Sequence, residues 1–272
     1  MKRIGVVAPG SRLEAAAPDA VRAIAAELYA AQAPDIVFHP QCFLEDGHFA
    51  GPDAARAAAF LDYANDPAFD AVWFARGGYG ACRMADAALD GLKPAAREKL
   101  YLGYSDAGVL LAGLDRAGCR VAHGPMATDF KRANGAAAIT RALRFLVEGA
   151  ADTLEPSTQG VAAVAFNITI LSTLIGTRFE PNLKGRVLML EDVGEYLYRI
   201  DRELFHILSS PCGRAAAGVR LGRVSEIIPN DPPFALGEEE IARHWCAKAG
   251  VAYLGRADIG HDSENKVVLF SG

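Results

Sequence analysis

GYSDAG, residues 103–108, places a serine between two apolar segments. The preceding segment, Leu100-Tyr101-Leu102, is typical of a short buried strand, and the following one, Val109-Leu110-Leu111, is typical of a helix. Ser105 at such a junction is commonly a helix N-cap, whose hydroxyl accepts a hydrogen bond from a free backbone N–H. The pattern also approaches the nucleophile elbow, a tight strand-to-helix turn that exposes a serine near a G-x-S-x-G motif. The hexapeptide alone leaves both interpretations open.

Strand-like and helix-like segments alternate through the first half of the chain. The pattern predicts strands over 2–8, 35–39, 71–75, 100–102 and 121–123, and helices over 18–31, 52–65, 81–89, 106–117 and 136–147. This alternation predicts a parallel sheet with helices on its faces. Ligands bind such sheets beyond the carboxyl ends of the strands. We therefore expect the turns at 9–11, 76–80 and 103–105 to meet at one edge.

Residues 150–162 are small, polar and turn-rich, and they predict a linker. We expect an α/β fold with an N-terminal domain at 1–149, built on a mostly parallel sheet flanked by helices. A smaller C-terminal domain is expected at 163–272. Its predicted strands cover 186–190, 224–228 and 267–270, and its predicted helices cover 168–174, 198–208 and 238–249.

Composition excludes several classes of function. The chain has 272 residues, 51% of them hydrophobic, which can bury a large core, and its net charge of −5 argues against a nucleic-acid partner. The apolar N-terminal run stops at Pro9, and no run reaches the roughly 18 apolar residues of a membrane span. We expect a cytoplasmic protein without a membrane partner. The five cysteines and six histidines lack metal-ligand spacing, so neither a metal nor a cofactor is expected.

A serine nucleophile needs a base, and the base needs an orienting partner. His261 lies in a loop before the last predicted strand, and His123 follows a strand of the first half; both are candidate bases. Glu191 ends an apolar strand and is the candidate acid, with Glu195 as a rival. A salt bridge of Glu191 with Arg199 or Arg202 is the alternative. The chain order serine, acid, histidine matches that of the α/β-hydrolases.

The loop Arg76-Gly77-Gly78-Tyr79-Gly80 has three glycines in four positions. Glycines allow backbone N–H groups to approach a ligand closely. Such groups can form an oxyanion hole, which stabilises negative charge on a reacting carbonyl oxygen. A phosphate cradle is a weaker alternative because the P-loop lysine is missing. A plain strand-to-helix turn also fits the local sequence.

Six stretches together resemble the LD-carboxypeptidases, a serine peptidase family that includes the microcin immunity peptidases. They are VVAPGS at 6–11, RGGYG at 76–80, GYSD at 103–106, HGP at 123–125, GRVLMLEDVGEYLYRIDREL at 185–204 and IGHDSEN at 259–265. The resemblance covers nearly the whole chain, and the segment at 185–204 is its most specific part.

The resemblance implies a catalytic triad of Ser105, Glu191 and His261, with an oxyanion hole from backbone amides near Gly78 and Asp106. It also implies a C-terminal domain with its own β-sheet, a triad assembled in the cleft between the domains, and a homodimer. The implied reaction is hydrolysis of the L,D-peptide bond that holds the terminal D-alanine of murein tetrapeptides. In this family the reaction is a cytoplasmic step of peptidoglycan recycling.

A carboxypeptidase must bind the free carboxylate of its substrate, and Arg76 and Arg199 are the candidates for this role. Three alternatives to an LD-carboxypeptidase remain. One is a microcin-immunity-type peptidase that cleaves a peptidyl-nucleotide. Another is an unrelated esterase, which would have a single eight-stranded sheet and no linker near residue 155. The third is a two-lobed protein that binds a small ligand without turning it over.

Overall fold

The computed structural model of the protein describes residues 1–272. Its first half alternates strands and helices: β1 Arg3–Val7, α1 Ala17–Tyr29, β2 Asp35–Phe38, α2 Asp53–Asn65, β3 Ala71–Phe74, α3 Ala81–Asp90, β4 Leu100–Gly103, α4 Gly108–Arg116, β5 Arg120–His123 and α5 Gly135–Glu148. The second half contains β6 Ala163–Asn167, α6 Ile168–Leu174, β7 Val187–Val193, α7 Leu197–Ser209, α8 Pro211–Arg214, β8 Gly218–Ser225, α9 Glu238–Ala249, β9 Tyr253–Arg256 and β10 Val268–Leu269. None of these helices combines the length and apolar character needed to cross a bilayer.

The first sheet has six strands in the order β10-β5-β4-β3-β1-β2. β1 to β5 are mutually parallel, and β10 pairs antiparallel with β5. Every position of β3 and β4 is buried, as expected for central strands covered on both faces. Helices α1 and α5 pack on one face, and α2, α3 and α4 pack on the other. The predicted mostly parallel sheet flanked by helices is confirmed.

The second half has its own parallel sheet of four strands, in the order β6-β7-β8-β9. The register between β7 and β8 shifts after Leu190, so the β8 segment from Leu221 to Val224 has one more residue than the opposite β7 segment from Leu190 to Asp192. Such a bulge bends a strand and redirects nearby side chains. The two separate sheets confirm the expected α/β class, and they contradict the single eight-stranded sheet of the esterase alternative.

One apolar core joins the two halves. The core on the α4 side of the first sheet continues into β6, β7 and α7. Gly108, the first residue of α4, lies so close to Ile170 and Phe166 that a Cβ there would be 3.3 Å and 3.5 Å from their side chains. A buried ion pair between Arg186 and Asp115, 2.6 Å apart, also crosses the boundary. The halves therefore share one hydrophobic interior.

The C-terminal strand and the segment at 150–162 also bridge the halves. β10 belongs to the first sheet, although it lies in the segment expected as the second domain. The 150–162 segment contains two short 3₁₀ turns. It is hydrogen-bonded to the residue before β10, since the Glu155 N–H donates to the carbonyl of Val267 at 2.8 Å. The Glu155 carboxylate is buried and accepts from the N–H of Asp258. The chain therefore crosses back to the first sheet before it ends.

Candidate active site

Ser105 follows β4 and begins a 3₁₀ turn that precedes α4. Its backbone φ is +58°, in the left-handed region that residues other than glycine rarely adopt. The N-cap position of α4 is Ala107, so Ser105 is not the cap residue of that helix. A strained serine between a strand and a helix is the geometry of a nucleophile elbow.

The glycine loop after β3 packs directly on this turn. A Cβ on Gly77 would lie 2.9 Å from both Cβ and Oγ of Ser105, closer than side chains tolerate. Gly78 has a φ of +86°, and a Cβ there would lie 2.4 Å from Oγ of Ser11. The Ser11 hydroxyl in turn contacts Nε2 of His48 at 3.3 Å. The loop therefore requires glycine at 77 in order to lie against Ser105 and glycine at 78 in order to lie against Ser11.

A buried carboxylate ties the serine turn to the same loop. Asp106 accepts a hydrogen bond of 2.8 Å from the N–H of Ala81, the first residue of α3. Burial raises the pKa of the Asp106 carboxyl to about 6, although the bond from Ala81 favours the charged form. The residue after the candidate nucleophile thus anchors the helix that follows the glycine loop.

The buried side chain of Arg56, whose role was not predicted from the sequence, connects three loops at the sheet edge that carries Ser105. The Arg56 guanidinium donates to the carbonyls of Gly51 at 3.1 Å and Gly80 at 2.8 Å, and also to the carbonyl of Pro9. It also pairs with Asp53, which lies one helical turn earlier in α2. The only local signal is a charged residue on the otherwise alanine-rich, buried face of α2.

Glu191 and His261 come from the second half and form a close pair. Nδ1 of His261 lies 2.5 Å from Oε2 of Glu191, whose side chain is fully buried in β7. Burial alone would lower the pKa of His261, but the adjacent Glu191 carboxylate raises it above the ordinary value. A Cβ on Gly222, within the β8 bulge, would lie 2.7 Å from Ile259 and 3.0 Å from the Glu191 Cβ. Glycine at 222 lets the His261 loop approach the acid.

The His261 ring also contacts the strand that carries Ser105. It packs on Tyr104 with ring centroids 4.8 Å apart, and Tyr104 immediately precedes the serine. Nδ1 is committed to Glu191, which leaves Nε2 as the nitrogen that can face the nucleophile. The structure has no hydrogen bond between Ser105 and His261. The predicted serine, acid and histidine are nevertheless gathered from both sheets into one region.

The rival acid and base have other partners. Glu195 forms an ion pair of 3.1 Å with Arg199, and Arg199 therefore does not pair with Glu191. His123 is buried, its Nε2 contacts the Asn265 amide at 3.2 Å, and burial lowers its pKa to about 4. The other four histidines contact Asp62, Ser11, Ser172 and Trp245.

A polar network behind Glu191 joins β6, β7 and α7. Asp192 accepts from the amide of Asn167 at 2.8 Å and from the N–H of Thr169 at 3.0 Å. The Thr169 hydroxyl lies 3.1 Å from Asp192 and 3.0 Å from Glu203. One hydroxyl has a single proton to donate, so a proton on either carboxyl would satisfy both contacts. Burial raises the pKa of Asp192 to about 6 and that of Glu203 to about 7.

Arg76 and Arg199, the two arginines predicted to bind the substrate carboxylate, both have hydrogen-bond or ion-pair partners within the chain. Arg76 follows β3 at the same sheet edge as Ser105, is half-buried and donates to the carbonyl of Arg12 at 3.2 Å. Arg199 is engaged by Glu195. A third arginine, Arg132, was not predicted from the sequence and donates to Asp129 at 2.7 Å.

A surface cavity of about 460 Å³ lies away from these residues. Asp70, Leu100 and Arg120 line it, and they stand at the amino ends of β3, β4 and β5. Ser105 and the glycine loop follow the carboxyl ends of the same sheet. Chemistry, rather than cavity size, therefore identifies the candidate site.

Comparison with models of known protein families shows to which family the chain is related. The model of the LD-carboxypeptidase N-terminal domain matches residues 4–124, and that of the LD-carboxypeptidase C-terminal domain matches residues 162–272. The chain belongs to the LD-carboxypeptidase family. The resemblance drawn from the sequence motifs is confirmed.

Relatives of this LD-carboxypeptidase family member carry related names. The murein tetrapeptide carboxypeptidase of Pseudomonas aeruginosa is 30% identical over 216 residues, which are 74% of this chain and 70% of that protein. A Streptomyces coelicolor relative named as a carboxypeptidase is 38% identical over 192 residues, 67% of this chain but only 62% of that protein. The crystal structure of muramoyltetrapeptide carboxypeptidase from Oxalobacter formigenes has the same fold, with a TM-score of 0.81 at 20% identity over 98% of this chain and 93% of that one.

Proposed function

We propose that this protein is a serine carboxypeptidase that hydrolyses an L,D-peptide bond, with Ser105 as nucleophile, His261 as base and Glu191 as orienting acid. The observation that carries the proposal is the Glu191–His261 pair, packed on Tyr104 beside a serine in a strained turn. A histidine whose Nδ1 is held by a carboxylate has the tautomer and orientation needed to accept a serine proton at Nε2.

The proposed reaction has two steps. His261 removes the Ser105 proton as the oxygen attacks the carbonyl carbon before the terminal residue. The backbone N–H groups of Gly78 and Asp106 hold the oxyanion, since preorganised donors stabilise charge that develops in the transition state. The C–N bond then breaks, His261 protonates the leaving amine, and an acyl-enzyme remains on Ser105. Water, deprotonated by His261, hydrolyses the ester and restores the serine.

The proposed substrate is a murein tetrapeptide, from which the enzyme releases the terminal D-alanine during peptidoglycan recycling. The name of the Pseudomonas aeruginosa relative supports this substrate. A cytoplasmic location, a homodimer and a division into domains at 1–149 and 163–272 are parts of the same proposal. Light scattering tests the dimer, because a dimer doubles the chain mass of 28.8 kDa.

Mass spectrometry of product release tests the reaction. The protein is incubated with an L,D-tetrapeptide ending in D-alanine, with the diastereomer ending in L-alanine, and with a peptidyl-nucleotide. We expect D-alanine from the first peptide and little product from the other two. Cleavage of the peptidyl-nucleotide alone would indicate the microcin-immunity-type activity. Tight binding of the tetrapeptide without turnover would indicate the two-lobed binding protein instead.

A further inference from the structure

Arg132 occupies the position that a carboxylate-binding residue of this site requires. It follows β5 and a 3₁₀ turn at Ala127–Lys131. The first sheet orders its strands β5-β4-β3, and Ser105 follows β4. Because parallel strands end at one edge, the segment after β5 that leads to Arg132 begins on one side of Ser105, and Arg76 follows β3 on the other side.

Two side chains, Asp129 and Tyr104, hold the Arg132 guanidinium in place. Its Nε donates to Oδ1 of Asp129 at 2.7 Å, and its Nη2 donates to the Tyr104 hydroxyl at 3.3 Å. Asp129 is buried and also accepts from the Tyr104 hydroxyl at 3.0 Å and from the N–H of Met126 at 2.8 Å. Two bonds, from Tyr104 and Met126, thus fix the carboxylate that orients the arginine.

Part of the Arg132 guanidinium has no hydrogen-bond partner within the chain. Arginine has five N–H donors, and the contacts with Asp129 and Tyr104 use two of them. Nη1 makes no hydrogen bond within the chain, and the side chain is 31% exposed. The Nη1 and Nη2 groups can therefore present two N–H donors to a carboxylate, the bidentate geometry that arginine favours.

The chemistry of the leaving residue places its carboxylate near His261. In the terminal amino acid, the carboxylate and the scissile nitrogen are bonded to the same carbon. Because His261 protonates that nitrogen, the cation that binds the carboxylate must lie close to the imidazole. Arg132 meets this condition, since it bonds to Tyr104, on which the His261 ring packs.

We propose that Arg132 binds the terminal carboxylate of the substrate and so selects peptides with a free C-terminus. The inference rests on the proposed carboxypeptidase function. Arg132 is preferred to Arg76 and Arg199, because their guanidinium groups bond to the Arg12 carbonyl and to Glu195 and make no bond to Tyr104, on which His261 packs. Asp129 and Tyr104 act as positioning residues that hold the guanidinium at this place.

A pair of substrates tests the proposal. The wild type, Arg132→Gln and Arg132→Lys are assayed with the L,D-tetrapeptide acid and with the same peptide as its C-terminal amide. We expect Arg132→Gln to lose roughly 10- to 100-fold in kcat/KM on the acid and little on the amide, because only the acid forms the charged bond. Arg132→Lys should retain part of the preference. Arg144→Gln, on an exposed arginine of α5, is the control and should change neither rate.

Equal losses on acid and amide would overturn the proposal, because they would indicate that Arg132 only supports the His261 region. Unchanged preference in Arg132→Gln would overturn it as well. If the wild type cleaves neither peptide, the proposed function fails, and calorimetry with Ser105→Ala still tests the inference. Tighter binding of the acid than of the amide, abolished by Arg132→Gln, would support it; equal binding would refute it.

Discussion

Ser105 is held in its left-handed conformation by contacts on either side of the turn. Gly77 lies against its side chain, and the Asp106 carboxylate binds the first residue of α3. A strained conformation of this kind costs about 1–3 kcal/mol and persists only where surrounding contacts enforce it. The residues around the serine therefore hold it in the strained turn, at a cost in stability.

The close contact between Gly77 and Ser105 predicts that a methyl group added at residue 77 lowers the activity. Gly77→Ala would place a Cβ 2.9 Å from the Ser105 Oγ, so either the loop or the serine must move. We expect kcat/KM to fall roughly 100-fold, because a displacement of about 1 Å at a reacting group can cost that much. Gly237→Ala is the control, because its Cβ would make only an ordinary contact of 3.6 Å with the Glu240 carboxylate. Steady-state kinetics with unchanged rates for Gly77→Ala would argue against this packing.

Removal of the acid should change the pH profile as well as the rate. The Glu191 carboxylate raises the pKa of His261, so the acidic limb of kcat/KM should lie above the ordinary histidine value of about 6.5. In Glu191→Gln burial is the largest remaining influence on the His261 pKa and lowers it, so the limb should move to lower pH. The rate should also fall by roughly 10³- to 10⁴-fold because the tautomer is no longer fixed. Glu195→Gln is the control, and a profile shifted by that variant instead would make Glu195 the acid.

The site residues that were predicted from sequence motifs differ from the arginines that were not, because the arginines have hydrogen-bond partners that lie far away in the sequence. Ser105 stands in a local pattern of strand, turn and helix, which the sequence displays directly. Arg56 and Arg132 act through carbonyl, carboxylate and hydroxyl groups that only the fold brings to them. No short-range pattern marks such an arginine. Glu191 was preferred to Glu195 because it ends an apolar strand, and the family resemblance implied the same residue.

At the scale of elements, the carboxyl ends of β6 and β7 are joined by buried acids. Asp192 binds Asn167 at the end of β6, and Thr169 of α6 links Asp192 to Glu203 of α7. These bonds fix the end of β7 that carries Glu191. Burial raises the pKa of both Asp192 and Glu203, which favours a proton on these carboxyls.

The proton in this network predicts how stability depends on pH. Burial raises the pKa of Glu203 to about 7, so between about pH 4.3 and 7 the folded chain binds a proton that the unfolded chain has lost. Stability should be full below that range and fall as pH rises through it, by up to about 1.4 kcal/mol per pH unit. Glu203→Gln should flatten this slope in urea unfolding measured from pH 5 to 8. Glu98→Gln, at an exposed site, should keep it; a slope unchanged in Glu203→Gln would contradict the account.

Element prediction succeeded where hydrophobic periodicity was strong and failed where glycine or a short length obscured it. β6 has five residues and runs into α6 without a turn residue, so the sequence showed only the helix. β8 was expected at 224–228 but lies at Gly218–Ser225, because Gly218 and Gly222 made its first half resemble a loop. β9 is half exposed at the edge of its sheet and was missed.

At the scale of the whole molecule, the site depends on the joining of two sheets. The serine turn belongs to the first sheet, the acid to the second, and the histidine to the loop between β9 and β10. A shared apolar core and the buried Arg186–Asp115 pair connect the halves. Any separation of the halves would therefore dismantle the site.

The shared core predicts a single cooperative unfolding transition. The chain has two tryptophans, Trp73 in the first sheet and Trp245 on α9 of the second half. Urea unfolding of Trp73→Phe and Trp245→Phe would each report one half by fluorescence. We expect each fluorescence transition to coincide with that of the same variant by circular dichroism. A separate, earlier transition of either half would show that the halves unfold independently.

The most direct test of the central claim measures D-alanine release from the L,D-tetrapeptide by the wild type, Ser105→Ala and Ser157→Ala. Ser157 lies in the 150–162 segment and bonds to Glu155, away from the serine turn. We predict release by the wild type and Ser157→Ala, and loss of at least roughly 10³-fold in Ser105→Ala, because the nucleophile is absent. Release by Ser105→Ala at the wild-type rate would contradict the assignment of Ser105 and, with it, the proposed mechanism.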